Sequence, residues 1–337
     1  MTSNRRFLLA RRPHGTPQPE DFSLVDEPVP VAPPGGFVVR NHYCSLDPAQ
    51  RGWMDDAPSY MPPIALGDPV RASTVGVVHA SDTPEFAVGD WVMGLNALED
   101  YSVNHAGGFT MKIDVGQVDS PSKFLSAMGA VGLTAYFGLL DVAKAKAGET
   151  LLVSGAAGAV GSAVGQIGKI LGCRVIGIAG GAGKCRRLIE DYGFDVAIDY
   201  KGKSVSALSD EIRAAAPGGA DIVFENVGGD VFDAELLNLA KHARIVLCGL
   251  ISEYNSPEKV GVRNLWQVLV KRATVQGFLI ADYVDRFAQG GAQMAQWIGE
   301  GRLRMDEDVQ DGLENAYAAF MRLFSGANTG KLILKIA

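Results

Sequence analysis

From residue 150 onward the chain repeats one unit, a short apolar segment followed by a helical pattern. No other property narrows its fold as much. Thr150–Ser154, Arg174–Ala179, Val196–Asp199, Asp221–Glu225, Ile245–Cys248 and Thr274–Phe278 carry few charges. Segments of this length and texture suit parallel strands buried on both faces. Between the first two, Val160, Val164, Ile167 and Leu171 recur at i, i+4, i+7 and i+11, which marks one face of a helix. Gly172 then stands where a C-terminal cap belongs. Strand and helix alternating in this way predict a doubly wound α/β sheet.

The chain before about Asp119 reads differently. Phe37–Arg40, Val75–Val78 and Asp90–Met93 are strand-like, and Pro33-Pro34-Gly35-Gly36 and Val88-Gly89-Asp90 are turn signals. The tail, Lys331–Ile336, returns to this texture and is expected as an edge strand. A length of 337 residues suits two domains. We therefore expect a β-rich, barrel-like domain from residues 1–123 and 305–337, with an α/β domain, 124–304, inserted into it.

Several function classes fall away on composition. A net charge of −7 argues against a nucleic-acid or anionic-membrane surface. No apolar run approaches the roughly 18–20 residues of a membrane-spanning helix. The apolar patch within Asn4–Arg12 is too short for a signal-peptide core and is followed at once by arginines, so it reads as a first strand with a basic rim. Cys44, Cys173, Cys185 and Cys248 form no CxxC pair, which fits a reducing cytoplasm better than a disulfide framework.

The sharpest motif is Ser154-Gly155-Ala156-Ala157-Gly158-Ala159-Val160-Gly161-Ser162, between a strand and a helix. This is the setting of the dinucleotide fingerprint, in which small residues let the chain approach a pyrophosphate at a helix N-terminus. The match is A-x-G-x-x-G, with Ala156 at the first glycine position. NAD sites usually carry an Asp or Glu near the end of the second strand, to hold the ribose 2′-OH. Here that strand runs into Gly180-Gly181-Ala182-Gly183-Lys184-Cys185-Arg186-Arg187, with no acid. A carboxylate would repel a 2′-phosphate, whereas Lys184 would attract it. The reading is NADP(H). For Arg186 and Arg187 a solvated helix face explains the charges as well.

A catalytic zinc would need three protein ligands and an open position. Cys44-Ser45-Leu46-Asp47 has the look of a ligand segment, but none of His14, His42, His79, His105 and His242 stands in a His-Glu pair beyond it. No metal is expected, and Cys44 reads as a small buried residue.

Together, Ser45–Met54, Gly132-Leu133-Thr134-Ala135-Tyr136-Phe137-Gly138, Ala156–Ser162, Phe224-Glu225-Asn226-Val227-Gly228-Gly229, Cys248–Asn255 and Gly326–Lys331 span nearly the whole chain. In these segments the chain resembles the zinc-independent branch of the medium-chain dehydrogenase/reductase superfamily. Within it, the chain is most similar to the prostaglandin/leukotriene reductases, plant 2-alkenal reductases and bacterial curcumin-type reductases. The resemblance implies a Rossmann domain inserted in a GroES-like barrel domain, and usually a homodimer. It places Gly158, Ala159, Val160, Gly161 and Ser162 at the pyrophosphate, and Lys184 and Tyr200 at the 2′-phosphate. Asn226, Cys248, Gly249, Leu250, Ile251 and Ser252 would run along the ribose and nicotinamide. Phe278 and Leu279 would flank the nicotinamide, and Asn328 would reach the coenzyme from the tail. Relatives often have a serine and acids where this chain has Gly-Gly-Ala-Gly before Lys184.

The resemblance also implies the reaction, reduction of the C=C bond of an α,β-unsaturated ketone or aldehyde, with hydride added at the β-carbon. Negative charge then gathers on the carbonyl oxygen, and a rigid donor aimed at it should matter most. Tyr254 is the candidate, acting with a coenzyme ribose hydroxyl. Tyr254 or water would protonate the α-carbon. Tyr60 is a weaker candidate that would shape the substrate pocket. Asp47 and Arg51 read as a structural ion pair. Two alternatives stay open: a quinone or carbonyl reductase on the same scaffold, and a non-catalytic NADPH-binding protein.

Overall fold

The computed structural model describes residues 3–258 and 261–337. It divides into two compact units, one holding the chain up to Ser126 and from Glu307 onward, the other Ala127–Asp306. The first unit is closed on itself at Glu307, whose carboxylate takes hydrogen bonds from Ser122 Oγ at 2.6 Å and from Ser126 Oγ, with Lys123 Nζ at 3.3 Å.

The first unit begins with β1 (Ser3–Leu9), β2 (Phe22–Pro28), β3 (Gly36–Ser45), α1 (Ala49–Trp53), β4 (Arg71–Ser81), β5 (Trp91–Ala97), β6 (Tyr101–His105) and β7 (Thr110–Lys112). The basic rim of β1 is neutralised along its length, Arg5 by Asp100 at 2.9 Å and Arg6 by Glu99 at 2.9 Å.

The second unit follows with α2 (Ala130–Phe137), β8 (Thr150–Val153), α3 (Ala159–Ile170), β9 (Arg174–Ala179), α4 (Ala182–Glu190), β10 (Val196–Asp199), α5 (Val205–Ala215) and β11 (Ala220–Glu225). It ends with α6 (Gly229–Leu236), β12 (Leu239–Leu247), α7 (Ile251–Tyr254), α8 (Trp266–Lys271), β13 (Thr274–Gly277) and α9 (Phe287–Gly299). Its strands pair in parallel, in the order β10-β9-β8-β11-β12-β13. This is the doubly wound sheet expected from the strand–helix repeat. The order reverses between β8 and β11, and in open α/β sheets ligands bind outside the carboxyl ends of the strands at such a switch.

The central strands hold their place by burial. Leu151, Leu152, Val153, Ile176, Ile178, Ile222, Val223 and Phe224 are all buried. Each such side chain is worth roughly 1.5–3 kcal/mol on leaving water. The apolar face read from Val160, Val164 and Ile167 lies on α3, and Gly172 has φ +83° just past its end. Gly165 is there for packing, because a Cβ would come within 1.9 Å of the Phe194 ring.

The chain then returns to the first unit as β14 (Glu307–Asp311), α10 (Ala316–Ser325) and β15 (Lys331–Lys335). The tail strand was expected at an edge, and there the structure differs. β15 lies between β14 and β3, and β14 is the outer strand. Leu332, Ile333 and Leu334 are all buried, so both faces of β15 need cover. The expected Asp47–Arg51 ion pair is also absent. Asp47 faces the buried Lys331 Nζ at 2.7 Å, and Arg51 pairs with Asp55 one helical turn on, at 2.6 Å. The remaining guanidinium donors of Arg51 go to the carbonyls of Pro13 and Gly15. Spacing alone misled here, because a cation on β15 reaches Asp47 first.

Candidate active site

The glycine turn after β8 is held by its own backbone. Gly155 has φ +58°, Gly158 N–H donates to the Gly155 carbonyl at 2.9 Å, and Ala156 N–H donates to Ile178 at 3.0 Å. Gly158 is the N-cap of α3, with no side chain to offer. The first-turn N–H groups of Ala159, Val160 and Gly161 therefore have no acceptor within the helix. They face outward with the positive end of the helix dipole, an arrangement suited to an anion. Gly161 allows the close crossing, because a Cβ there would lie 2.5 Å from the Gly155 carbonyl oxygen. Ser162 is buried, and its hydroxyl donates to the Ala159 carbonyl at 3.3 Å.

Across the switch, the loops after β11 and β12 are laced to this turn. Asn226 N–H donates to Ser154 Oγ at 2.9 Å, and Asn226 Nδ2 donates to the Ser154 carbonyl at 2.8 Å. Cys248 and Gly249 N–H both donate to the Glu225 carbonyl, at 2.9 and 3.1 Å. Ile251 N–H reaches the Asn226 carbonyl at 3.2 Å, and Ser252 N–H reaches the Val227 carbonyl at 2.9 Å. The loop holding Cys248, Gly249, Leu250, Ile251 and Ser252 thus lies against Asn226. Burial pushes the Cys248 thiol up to about 12, with Glu225 adding to the shift, so it stays protonated at neutral pH.

Tyr254, at the end of α7, curls back on this loop. Its hydroxyl accepts the Leu250 N–H at 3.3 Å and lies 3.2 Å from the place a Gly249 Cβ would take. Phe278 and Leu279 follow β13. Phe278 packs on the core beside Tyr283, with ring centroids 6.2 Å apart, and Leu279 is exposed.

The second cluster lies beyond the ends of β9 and β10. Tyr200 and Lys201 sit against Gly180, where a Cβ would be 3.2 Å from the Tyr200 hydroxyl and 3.1 Å from Lys201 Cε. Lys184, half-buried on α4, is the third member. Burial pulls its ammonium below the usual lysine range, and the nearby charges of Lys201 and then Arg187 lower it further. Arg187 is already matched, to Asp306 at 2.7 Å and to Asp191 at 3.4 Å. Arg186 is exposed. Asp199 accepts the N–H groups of Gly181 and Lys201, at 2.7 and 3.0 Å. Lys201 escaped the sequence reading because it belongs to the loop after the third strand, where no fingerprint points. The signal was present as a lysine directly after Tyr200.

Tyr60 and Asn328 belong to the other unit. Tyr60 is 53% exposed and accepts the Trp53 Nε1–H at 3.0 Å, while Asn328 Nδ2 donates to the Gly330 carbonyl at 3.0 Å. Cys44 is fully buried. Among the described residues no three His, Cys, Asp or Glu side chains gather as ligands for a metal ion.

Residues 5–112 match a family described as the N-terminal domain of oxidoreductase, and residues 159–297 match one described as zinc-binding dehydrogenase. The chain is 43% identical over 341 residues to the NADPH-dependent curcumin reductase of Escherichia coli (strain K12), covering 99% of this chain and 97% of that protein. It is 38% identical over 340 residues to a 2-alkenal reductase (NADP(+)-dependent) of Nicotiana tabacum, covering 99% and 98%. The crystal structure of CurA in complex with NADPH from Vibrio vulnificus superposes with a TM-score of 0.92 at 42% identity, covering 99% of each chain. The chain belongs to the zinc-independent branch of the medium-chain dehydrogenase/reductase superfamily, the branch that holds the curcumin and 2-alkenal reductases.

Proposed function

We propose that the protein is an NADPH-dependent oxidoreductase that saturates the C=C bond of α,β-unsaturated ketones and aldehydes. The observation that carries the coenzyme is the cation cluster past β9. Lys184 is half-buried and lies within the field of Lys201, and the Asp199 carboxylate accepts the backbone N–H groups of Gly181 and Lys201. A doubly charged 2′-phosphate offsets that repulsion, and the Tyr200 hydroxyl supplies a further donor. At the other end, Ala159, Val160, Gly161 and Ser162 would hold the pyrophosphate, with Gly158 keeping the approach open. Asn226 and the Cys248–Ser252 loop would line the ribose and nicotinamide side, with Phe278 and Leu279 on the ring. Tyr60 would shape the substrate pocket, and Asn328 would contact the coenzyme.

NADPH, when bound, supplies the hydride that adds to the β-carbon. The chain's part is electrostatic. Tyr254, anchored through the Leu250 N–H, directs its O–H at the substrate's carbonyl oxygen, where charge gathers. The α-carbon takes its proton from Tyr254 or from water. The substrate class follows the curcumin and 2-alkenal reductases that the chain resembles along its whole length.

The protein would act in the cytoplasm, as a homodimer. Among the described residues no helix is long and apolar enough to cross a membrane, and its thiols are free. β13 is an edge strand, and α8, which precedes it in the chain and packs on β12, exposes Trp266 at 67% and Leu269 at 63%. An edge and an apolar patch of this kind call for a partner, and a second copy supplies the same strand and patch.

The test is loss of NADPH absorbance with 2-alkenals, enones, quinones and saturated aldehydes, with product identification. Saturated ketones and aldehydes from the first two groups support the reading. Reduction of quinones or C=O alone, or no oxidation at all, overturns it.

A further inference from the structure

Two glutamates lie buried beneath the coenzyme loops, and the mechanism uses neither. Glu225 ends β11 and Glu235 sits on α6, both fully shielded from solvent. Their surroundings are unequal. The Glu225 carboxyl takes the Ser154 hydroxyl at 2.7 Å, the Val227 N–H at 2.6 Å and the Gly228 N–H. Among the described residues, neither carboxyl oxygen of Glu235 receives a hydrogen bond from any donor. A buried carboxylate left in that state would cost several kcal/mol, so the group must be neutral and its proton must have an acceptor. Glu225 is its ionisable, hydrogen-bonding neighbour. A carboxylate has about four lone-pair sites, and three donors reach Glu225, which leaves one for a Glu235 O–H.

We propose that Glu225 and Glu235 share one proton, carried by Glu235, and that this pair positions the coenzyme loops. Glu225 is the fastening. Its side chain holds the loops after β8 and β11 through Ser154, Val227 and Gly228, and its carbonyl holds the loop after β12 through Cys248 and Gly249. Glu235 keeps it in place by donating from below. Glu235 is a positioning residue and touches no substrate. The effect on coenzyme binding rests on the function proposed above; the shared proton does not.

The other charged groups nearby are committed elsewhere. On α6, Asp230 and Asp233 both pair with Arg263. On α5, which packs against α6, Asp210 pairs with Arg213 and Glu211 with Lys203. The Cys248 thiol faces Glu225 and stays protonated at neutral pH. Burial, then the charge and hydrogen bond of Glu225, hold Glu235 well above its ordinary value of 4.5. The folded protein therefore keeps a proton that the unfolded chain has released. Stability conferred by this site is complete below pH 4.5 and is lost as pH rises through the raised value.

Infrared difference spectra of the wild type against Glu235→Gln, without coenzyme at neutral pH, read the proton directly. A protonated-carboxyl C=O band present in the wild type and missing in the variant is the expected result, and its absence from the wild type overturns the shared proton. NADPH binding, read by fluorescence titration, tests the fastening. Glu235→Gln, whose amide N–H can replace the O–H, keeps affinity within about twofold, and Glu235→Leu weakens it about tenfold or more, the cost of an acceptor left unmatched. Wild-type affinity in Glu235→Leu overturns the positioning role. Should Glu235→Leu fail to fold, melting temperature against pH decides: the fall above pH 4.5 must be smaller in Glu235→Gln, and equal slopes overturn the proposal. If the wild type itself binds no NADPH, the functional reading fails, while the infrared result still decides the proton.

Discussion

At the residue scale, the partner a polar group already has sets what it can still do. Tyr254 accepts from the Leu250 N–H, which holds its hydroxyl against the Cys248–Ser252 loop. Tyr254→Phe removes the donor and leaves the ring, so turnover should fall about tenfold or more with little change in NADPH affinity, as expected of an interaction made mainly in the transition state. Steady-state kinetics beside a binding titration checks this, and unchanged turnover removes Tyr254 from the mechanism. Residues legible in the sequence were those whose role lies in local backbone geometry, such as Gly158 and Gly161 at a strand–helix turn. Residues that act across the fold were not. Lys201 comes near Lys184 only because β10 lies beside β9, and Glu225 on β11 and Glu235 on α6 belong to different elements, so no single periodicity links them. Asp47 found Lys331, which lies 284 residues away in the chain.

At the element scale, the strand–helix repeat was readable because strands covered on both faces tolerate few charges, and α3 shows its buried face at helical spacing. β15 misled for a related reason. A short apolar strand suits an edge or an interior place equally, and only its pairing with both β14 and β3 decides. The edge that matters is β13, all of whose residues are exposed. If this edge and α8 join two copies, Trp266→Asp with Leu269→Asp should convert the protein to monomer, and sedimentation or light scattering would show the halved mass. A wild type that is monomeric at micromolar concentration contradicts the dimer. A charge at each position would cost of order 1–3 kcal/mol at such an interface.

At the scale of the whole molecule, the chain carries a net charge of −7, yet its nucleotide unit gathers Lys184 and Lys201 at one place beyond β9 and β10. The surrounding acids are directed elsewhere, Asp199 to backbone N–H groups and Asp306 to Arg187 and Arg304. A local excess of like charge in an acidic protein is costly unless a ligand of opposite sign completes it. Coenzyme preference reads this pairing of two lysines with a 2′-phosphate most directly. We predict that kcat/KM for NADPH exceeds that for NADH in the wild type. In Lys184→Ala combined with Lys201→Ala the ratio should shrink by about tenfold or more, the worth of a charge-assisted hydrogen bond. Equal use of both coenzymes by the wild type, or a preference that survives the loss of both lysines, would contradict the account.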